Sequence, residues 1–434
     1  TAGDARFTGT AAYSLPQDGA RGRIDAVLAT ENVDLDMMLP AARRLVGLGM
    51  SQLDLGLSLS GNRVRYAGSS ARSVDVILKG GAEGLGIERL AIADFAGLDL
   101  TGSGRLTGLD GTSDADGRFE ARLSGSRADG LPALAQAMGL AQAEPILAAM
   151  GPTLAPVDLK LTLNSKAGRT TLEAGGQLGS LTGSGRAGLS GGQVNDGRVQ
   201  LDAKDGSAVL TRLGVPGLKP GLGAAKLDLT LTDRLDATLA FAGARLTAKG
   251  TLGRDPEGRL QPDFALTLDG ADLAVLLPEL AAGGGRKVPA NFKGALRRDG
   301  ESWRVSGLTG SIGGQALDGS LAYTSGRPVE AELSTASWSV PKALGLVAGT
   351  SVAAGGEVWP KGRFDAAALA GVAADLKLNV GTFELPGGLA LGEAKMRAQL
   401  AGGRLNVEDL SGSLAGGRLA GRFNLGRQGE AAQF

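Results

Sequence analysis

The sequence predicts a mainly β protein: an elongated, twisted antiparallel β-sheet curled into a groove, built as a repeat array of amphipathic strands with a few short helices between repeat units. Three observations predict this fold class. Apolar and polar residues alternate through many short segments, glycine contributes 72 of 434 residues, and helical patterns are few and short. Alternation with a period of two places the apolar side chains of a strand on one face and the polar ones on the other.

The length and composition favour a repeat array over one compact core. A chain of 434 residues exceeds the size at which a single hydrophobic core usually keeps growing. Aromatic residues make up only 4% of the chain, so large side chains to anchor such a core are scarce. The apolar fraction of 43% is too high for a disordered chain, and the sequence is therefore expected to fold.

The strands are predicted from faultless alternation, which is clearest in Leu53 to Ser60, Val157 to Asn164, Leu227 to Thr232 and Leu376 to Val380. Short Asp-Gly and Asn-Asp-Gly segments separate the alternating runs, and these residues accept the positive φ angles of tight hairpins. The predicted turns lie at residues 110–111, 116–117, 195–197 and 299–300.

Five short helices are predicted, each following a polar cap and ending at glycine. The caps are Asp36, Asp129, Asp205, Asp272 and Ser339. They lie 93, 76, 67 and 67 residues apart (129−36, 205−129, 272−205 and 339−272). This spacing predicts a recurring unit of several strands and one helix.

The predicted organisation is one continuous array rather than independent domains. It comprises a β module at 1–125, three helix-plus-β repeat units at 126–203, 204–269 and 270–335, and a C-terminal β module at 336–434. The two end modules resemble each other, because the strand and turn pattern of Leu53 to Leu106 can be laid on that of Asp375 to Leu425.

Composition argues against catalysis and nucleic-acid binding. Histidine is absent, which removes the commonest general base and metal ligand, and cysteine is absent as well. Lysine plus arginine equals aspartate plus glutamate at 45 each, so no basic surface for nucleic acid is predicted. We therefore expect no enzyme, no cofactor and no metal site.

Two stretches imitate nucleotide-binding motifs. Leu189 to Gln193 reads as a transporter cassette signature, and Gly183 to Gly188 satisfies the dinucleotide pattern G-x-G-x-x-G. The sequence contains no Gly-Lys dipeptide of a phosphate-binding loop, and Gly188 leads into a further turn rather than a helix. A glycine-rich strand and hairpin is the preferred interpretation, and no nucleotide partner is expected.

The remaining candidate for function is the apolar face of the strands. Closed on itself, the sheet would enclose an ordinary core, whereas an open trough would expose a continuous apolar groove, and both arrangements remain open at this point. The candidate groove-lining residues are Leu159, Leu161, Leu163, Leu227, Leu229, Leu231, Leu266, Leu268, Leu376 and Leu378. The three tryptophans, Trp303, Trp338 and Trp359, are interpreted as core anchors in preference to membrane contacts.

Several stretches resemble the AsmA family of bacterial envelope proteins. The segment from Trp359 to Leu425, "WPKGRFDAAALAGVAADLKLNVGTFELPGGLALGEAKMRAQLAGGRLNVEDLSGSLAGGRLAGRFNL", resembles its C-terminal module. Three further stretches resemble its interior repeats: "LTRLGVPG" at 210–217, "LTLDGADLAVLLPEL" at 266–280 and "LTGSIGGQALDGSLAYTSGRPVEAELS" at 308–334.

The resemblance to this TamB-related, AsmA-like family implies a long periplasmic β-groove behind one inner-membrane helix. It implies phospholipid acyl chains as partners, transfer of phospholipid between the inner and outer membranes of a Gram-negative-type envelope, and contact with the outer membrane or its proteins. The chain starts at Thr1 with no anchor, so we expect a fragment of a longer protein. The alternative is a periplasmic scaffold or assembly factor for outer-membrane proteins with a closed apolar core.

Overall fold

The computed structural model describes most of the chain: residues 6–16, 21–32, 34, 36, 53–66, 68–108, 116–138, 140, 144, 147–148, 151–190, 193–207, 221–255, 260–276, 287–339, 373–385, 387–402, 404–428 and 431–433. The chain divides into two compact units. Unit 1 comprises Thr1–Asp202 and Thr230–Asp233, and unit 2 comprises Ala203–Leu229 and Arg234–Phe434.

Unit 1 is built on a long ladder of strands. Its strands are β1 (Arg6–Ser14), β2 (Gly22–Glu31), β3 (Leu53–Tyr66), β4 (Ser69–Gly81), β5 (Gly84–Phe95), β6 (Leu98–Thr107), β7 (Asp116–Gly125), β8 (Val157–Lys166), β9 (Arg169–Leu178), β10 (Leu181–Ser190) and β11 (Gln193–Ala203). From β1 to β10 each strand pairs with the next along the chain, antiparallel everywhere except between β2 and β3.

Unit 2 repeats this plan. After β12 (Ala225–Leu231), which straddles the boundary between the units, its strands are β13 (Leu235–Phe241), β14 (Ala244–Arg254), β15 (Leu260–Asp272), β16 (Pro289–Asp299), β17 (Ser302–Ile312), β18 (Gln315–Thr324), β19 (Val329–Ser339), β20 (Ala374–Glu384), β21 (Ala390–Ala401), β22 (Arg404–Leu414), β23 (Gly417–Gln428) and β24 (Ala431–Gln433). From β13 to β24 each strand pairs with its successor, in parallel only between β19 and β20.

The predicted mainly β fold class is confirmed. The described residues are mostly strand, and the sheet is open rather than closed into a ring. Helix is scarce in the described part of the chain: α1 (Leu131–Ala137), α2 (Leu273–Leu276) and a 3-10 turn at Gly151–Leu154.

Two of the five predicted helices are seen, but the prediction of Asp129 as a cap was wrong: Gly130 precedes α1, and no side chain caps this helix. Helix α1 begins two residues after Asp129, and α2 begins directly after Asp272. The Asp272 carboxylate accepts hydrogen bonds from the Ala274 and Val288 amides, at 3.0 and 2.9 Å, so it joins the start of α2 to the start of the next strand. The other three predicted helices fall mainly at 37–50, 208–220 and 340–372, outside the described residues.

Strand direction departs from the all-antiparallel prediction at two places. The pairs β2–β3 and β19–β20 are parallel, and each is separated in the chain by a long connection, at residues 32–52 and 340–373. A parallel pair needs such a crossover because the chain must return to the same end of the sheet. Apolar residues alternate in the same way in parallel and antiparallel strands, so the sequence pattern did not predict the parallel pairs.

Some turns were also predicted wrongly. Residues 116–117 lie at the start of β7 and residues 195–197 lie inside β11, whereas 299–300 does join β16 to β17. Four hairpins turn instead on Ala-Gly pairs, in which both residues have positive φ: 96–97, 167–168, 242–243 and 415–416. Residues 110–111 lie outside the described part of the chain.

The internal similarity between the end modules extends to backbone detail. Each similar segment opens with a strand that lies parallel to its predecessor, β3 or β20, and continues as an antiparallel meander. Asp94 lies two residues after Ile92, and Asp409 lies two residues after Val407. Their φ angles are 53° and 54°. Both sit in strands interrupted by bulges. The division into five repeat modules stays a prediction.

The main buried cluster of unit 1 lies where α1 and the 3-10 turn cover one end of the strands. Helix α1 contributes Leu131, the 3-10 turn contributes Leu154, and the strands contribute Leu98, Leu123 and Val157. Leu98 is fully buried. A second cluster joins Ala133 of α1 to the ends of β3, β4 and β5. The core of this unit therefore sits at the helix-covered end of the sheet.

Candidate functional site

The strand register aligns apolar residues in continuous rows across unit 1. Because directly paired residues point to the same side of a sheet, a row can be followed from partner to partner. Four rows cross all ten strands from β1 to β10: Gly9, Leu28, Leu59, Val76, Leu90, Gly102, Ala121, Leu161, Ala174, Gly185; Ala11, Ala26, Leu57, Leu78, Ile87, Gly104, Phe119, Leu163, Leu172, Ala187; Phe7, Thr30, Gly61, Val74, Ile92, Leu100, Leu123, Leu159, Gly176, Gly183; and Tyr13, Ile24, Leu55, Gly80, Leu85, Leu106, Gly117, Ser165, Thr170, Leu189. We call these rows the unit 1 apolar face.

No charged residue occupies any of the forty positions of this face, four rows of ten. Ten strands spaced by about 4.8 Å extend the rows over roughly 43 Å along the ladder. Leu59, Val76 and Leu90, near the middle of the face, are only partly buried. An apolar surface of this extent that stays accessible is typical of a binding surface rather than of a sealed core.

Unit 2 carries a comparable row. It crosses eleven strands from β13 to β23 through Leu235, Gly250, Phe264, Leu296, Val305, Leu321, Ala331, Leu376, Ala398, Val407 and Phe423. Every member is apolar or glycine. We call the side of the sheet that bears this row the unit 2 apolar face. Phe264 and Val407 are buried, whereas Leu296, Val305 and Leu376 are partly exposed.

The predicted groove residues lie on these two faces wherever the register can be traced. Leu159, Leu161 and Leu163 of β8 belong to three adjacent rows of the unit 1 apolar face. Leu266 and Leu268 of β15, and Leu376 and Leu378 of β20, lie on the unit 2 apolar face. Leu227, Leu229 and Leu231 alternate along β12. Nine of the ten are partly exposed, and Leu161, 9% exposed, packs into the cluster beside α1.

The opposite side of the sheet is charged. Arg122 of β7 binds Asp158 of β8 through two hydrogen bonds of 3.0 and 2.9 Å, and Arg297 binds Asp263 in the same forked manner at 3.2 and 3.0 Å. The Arg397 guanidinium, by hydrogen bonding to the Asp375 carboxylate, holds the pKa of that carboxyl below its ordinary value. These cross-strand pairs keep the outer side hydrated and in register.

Glycines on the apolar faces allow neighbouring backbones to approach closely. Gly176 has a φ of 146°, and a Cβ there would lie 2.1 Å from the carbonyl oxygen of Asp158. Gly319 has a φ of 155°, with the Glu332 carbonyl oxygen 2.0 Å from the corresponding point. Both positions admit only glycine. In both cases the paired strand's backbone occupies the space that a Cβ would need.

The apparent nucleotide motif lies within this ladder. Gly183 to Gly188 belong to β10, where Gly183 and Gly185 occupy rows of the unit 1 apolar face. The preferred interpretation, a glycine-rich strand, is confirmed for these residues. A dinucleotide site requires the start of a helix at this point, and the chain instead runs as strand to Ser190.

The tryptophans divide between two roles. Trp338 packs against the cluster formed by Val380, Phe383 and Leu391, as expected of a core anchor. Trp303 is 38% exposed, so its assignment as a core anchor was wrong. Trp359 lies outside the described residues.

Sequence reasoning also missed much of the apolar faces. Ala121, Ala174 and Gly102 complete rows that were predicted only where leucines alternate. Alanine and glycine carry a weak alternation signal because their side chains differ little from neighbouring serine or threonine in size. The pairing register is the information that identifies them.

In the described part of the chain no three acidic side chains come together as a metal site, and none of its helices has the length and apolarity to cross a membrane. No family model, no curated protein and no solved structure matches this sequence. The apolar faces are therefore interpreted from their own geometry and chemistry.

Proposed function

We propose that this protein is a non-enzymatic lipid carrier whose apolar faces hold phospholipid acyl chains while the head groups stay in water. One observation carries the proposal: four adjacent rows cross ten strands without a charge, and their central side chains remain accessible. A surface of this kind matches the length and chemistry of hydrocarbon chains better than that of a polar substrate.

The physical gain comes from keeping methylene groups out of water. Each methylene is stabilised by about 0.8 kcal/mol when it leaves water for an apolar surface. A lipid with two chains therefore crosses an aqueous space very slowly without a carrier. Successive side chains of a row lie on neighbouring strands about 4.8 Å apart, so a chain can move along the face without being released into water.

The charged outer side supports the same function. Forked pairs such as Arg122–Asp158 and Arg297–Asp263 cover the side opposite the apolar faces. One side of the sheet is thus suited to water and the other to hydrocarbon. Together with the sequence resemblance to AsmA-like proteins, this supports a proposed location in the periplasm of a Gram-negative-type bacterium, where the carrier would transfer phospholipid between the inner and outer membranes.

A second candidate function is a periplasmic scaffold for outer-membrane protein assembly. It is favoured by the helix-covered end of unit 1, where α1 and the 3-10 turn bury Leu98, Leu123 and Val157 in an ordinary core. If that closure extended along the whole face, no lipid surface would remain. The partial exposure of Leu59, Val76 and Leu90 favours the carrier.

The test is site-specific photo-crosslinking in cells. A benzoylphenylalanine at Leu59, on the unit 1 apolar face, is expected to capture phospholipid. The same residue at the adjacent Ser60, whose side chain is exposed on the outer side, serves as the matched control. Mass spectrometry of the purified adducts identifies the captured molecule. Absence of phospholipid at Leu59 would overturn the proposal, and capture of outer-membrane proteins instead would support the scaffold.

A carboxylate introduced on the apolar face provides a functional test. Leu90→Asp places a carboxylate on the unit 1 apolar face, and Arg89→Asp places one at the neighbouring exposed position. Transfer of fluorescent phospholipid between vesicles is expected to fall only for Leu90→Asp, because a charge on the face would have to be desolvated by each passing chain. Equal transfer by both variants would contradict the carrier assignment.

A further inference from the structure

At one end of the unit 2 apolar face the apolar row gives way to a cation and two aromatic rings. Arg298 lies two residues beyond Leu296 on β16 and pairs with Trp303 on β17, which in turn pairs with Tyr323 on β18. Since side chains two residues apart share a face, all three point to the same side as the row through Leu296.

Arg298 differs from the arginines of the outer side. At the inward positions of β14 to β19 whose side chains are described, it is the only charged residue. The neighbouring Arg297 points outward and is held by Asp263, at 3.0 Å. Arg298 contacts a carbonyl and a ring instead. A cation kept beside an apolar row, away from the carboxylates of the other side, is suited to an anion that arrives with hydrocarbon attached.

The contacts of Arg298 leave donors for such an anion. Its Nε donates to the Gly300 carbonyl at 2.9 Å, and its Cζ lies 5.7 Å from the centre of the Trp303 ring. The attraction of the guanidinium charge to the ring does not require hydrogen bonds from its N–H groups. The two terminal nitrogens can therefore form a forked pair with a phosphate or carboxylate.

The rings of Trp303 and Tyr323 share a row with the charged Arg298, next to the apolar row. Trp303 is 38% exposed and Tyr323 is partly exposed, so both present an apolar body with a polar tip at the end of the face. Tryptophan and tyrosine favour this position at membrane interfaces for the same reason. The order along the strands is leucine and valine, then aromatic rings with arginine, as in the layers of a lipid.

We propose that Arg298, Trp303 and Tyr323 bind the anionic head group of an amphiphile whose acyl chains lie along the row through Leu296, Val305 and Leu321. This inference rests on the proposed function and adds to it a preference for negatively charged lipids and a fixed lipid orientation. The occupant is an anionic phospholipid rather than a free phosphate, because the cation adjoins an apolar surface and not a polar pocket.

The test compares two probes with the same pyrene-labelled acyl chains, phosphatidylglycerol and uncharged diacylglycerol, binding to the full chain. Wild-type protein is expected to bind the phosphatidylglycerol about tenfold more tightly, which corresponds to one charge-assisted hydrogen bond. Arg298→Gln should abolish the difference, whereas Arg297→Gln, changed at the adjacent outward position, should keep it. Arg298→Lys retains the charge without the fork and should keep only part of it.

Each outcome decides a separate point. If Arg298→Gln retains the wild-type preference, the head-group site is overturned and the lipid carrier stands. If neither probe binds, the carrier itself fails and the site fails with it. Displacement of phosphatidylglycerol by millimolar glycerol phosphate would assign the site to a soluble phosphate and overturn the lipid proposal. Circular dichroism of each variant checks folding, and Arg298→Lys decides the question if the glutamine variant unfolds.

Discussion

Asp205 and Asp272, 67 residues apart, hold their chain segments with the same pair of hydrogen bonds. Asp205 accepts from the amide two residues later, Ser207, and from the amide sixteen residues later, Gly221, both at 3.0 Å. Asp272 accepts from Ala274 and Val288 with the same offsets. Each carboxylate therefore caps the turn after a strand and ties it to the segment that returns to the sheet. The same clamp thus recurs after the 67 residues that separate the two predicted caps.

Loss of this clamp is expected to weaken unit 2. Asp272→Ala removes two accepted hydrogen bonds and should lower the free energy of unfolding by about 1–2 kcal/mol. Urea denaturation measures the change, and hydrogen exchange at the Val288 amide should accelerate in the same variant. Asp269→Ala, at an exposed position on the same strand, is the control and should leave both readings unchanged. Equal effects of the two substitutions would contradict the clamp.

The Asp205 clamp predicts an acid-sensitive contribution to stability. Hydrogen bonds from the Ser207 hydroxyl and from the Gly221 and Ser207 amides hold the pKa of the Asp205 carboxyl below its ordinary value. An aspartate with a lowered pKa in the folded state stabilises the fold above its unfolded pKa of about 3.9, and the contribution disappears as pH falls through the folded pKa. Asp205→Asn should therefore show a shallower loss of stability between pH 5 and pH 2 in urea titrations. Parallel curves for the variant and the wild type would refute this.

Two neighbouring glycines in β9 separate crowding from general strand preference. Gly176 has positive φ and no room for a Cβ, whereas the nearest atom to a Cβ at Gly175 lies 3.8 Å away. Gly176→Ala should destabilise the protein by about 1–3 kcal/mol because it forces strain into the ladder. Gly175→Ala should be neutral or slightly stabilising. Thermal unfolding of both variants measures the contrast, and similar melting temperatures would contradict backbone crowding at position 176.

The Ala-Gly hairpins can be improved. Ala242, at the β13–β14 turn, has a φ of 47°, a conformation that costs alanine about 1 kcal/mol and that asparagine tolerates better. Ala242→Asn is therefore expected to raise the free energy of unfolding by about 0.5–1 kcal/mol. Ala240→Asn, within β13, should bring no gain. Chemical denaturation decides between them, and destabilisation by Ala242→Asn would contradict a left-handed conformation at position 242.

The sequence predicted the strands that alternate leucine with polar residues, because that pattern has one physical interpretation. Val157 to Asn164 became β8 nearly residue for residue, and Leu376 to Val380 lies within β20. The helices after Asp129 and Asp272 were likewise predictable, because short apolar runs with helical spacing follow both residues. Asp272 caps its helix as predicted, whereas no side chain caps α1. Local chemistry is sufficient for such elements.

Other features depend on residues far apart in the chain and could not be predicted this way. The parallel pairing of β2 with β3 follows from the path of a connection, not from the composition of either strand. Ala167 and Ala242 adopt positive φ although alanine disfavours it, because each lies in the two-residue turn of a tight hairpin. Arg298 gave no signal as a site residue until the register placed it beside Trp303. Neither the residue types nor their spacing in the sequence predicts this pairing.

The partner-to-partner rows have a consequence for how such a protein changes length. Each added hairpin of two strands extends a row by roughly 10 Å and returns the chain to the same end of the sheet with its inward side unchanged. Insertion or loss of a whole hairpin therefore alters the reach of the surface without altering its chemistry. The length of the apolar surface therefore changes in steps of one hairpin, and duplication of a short segment is sufficient to span a longer distance.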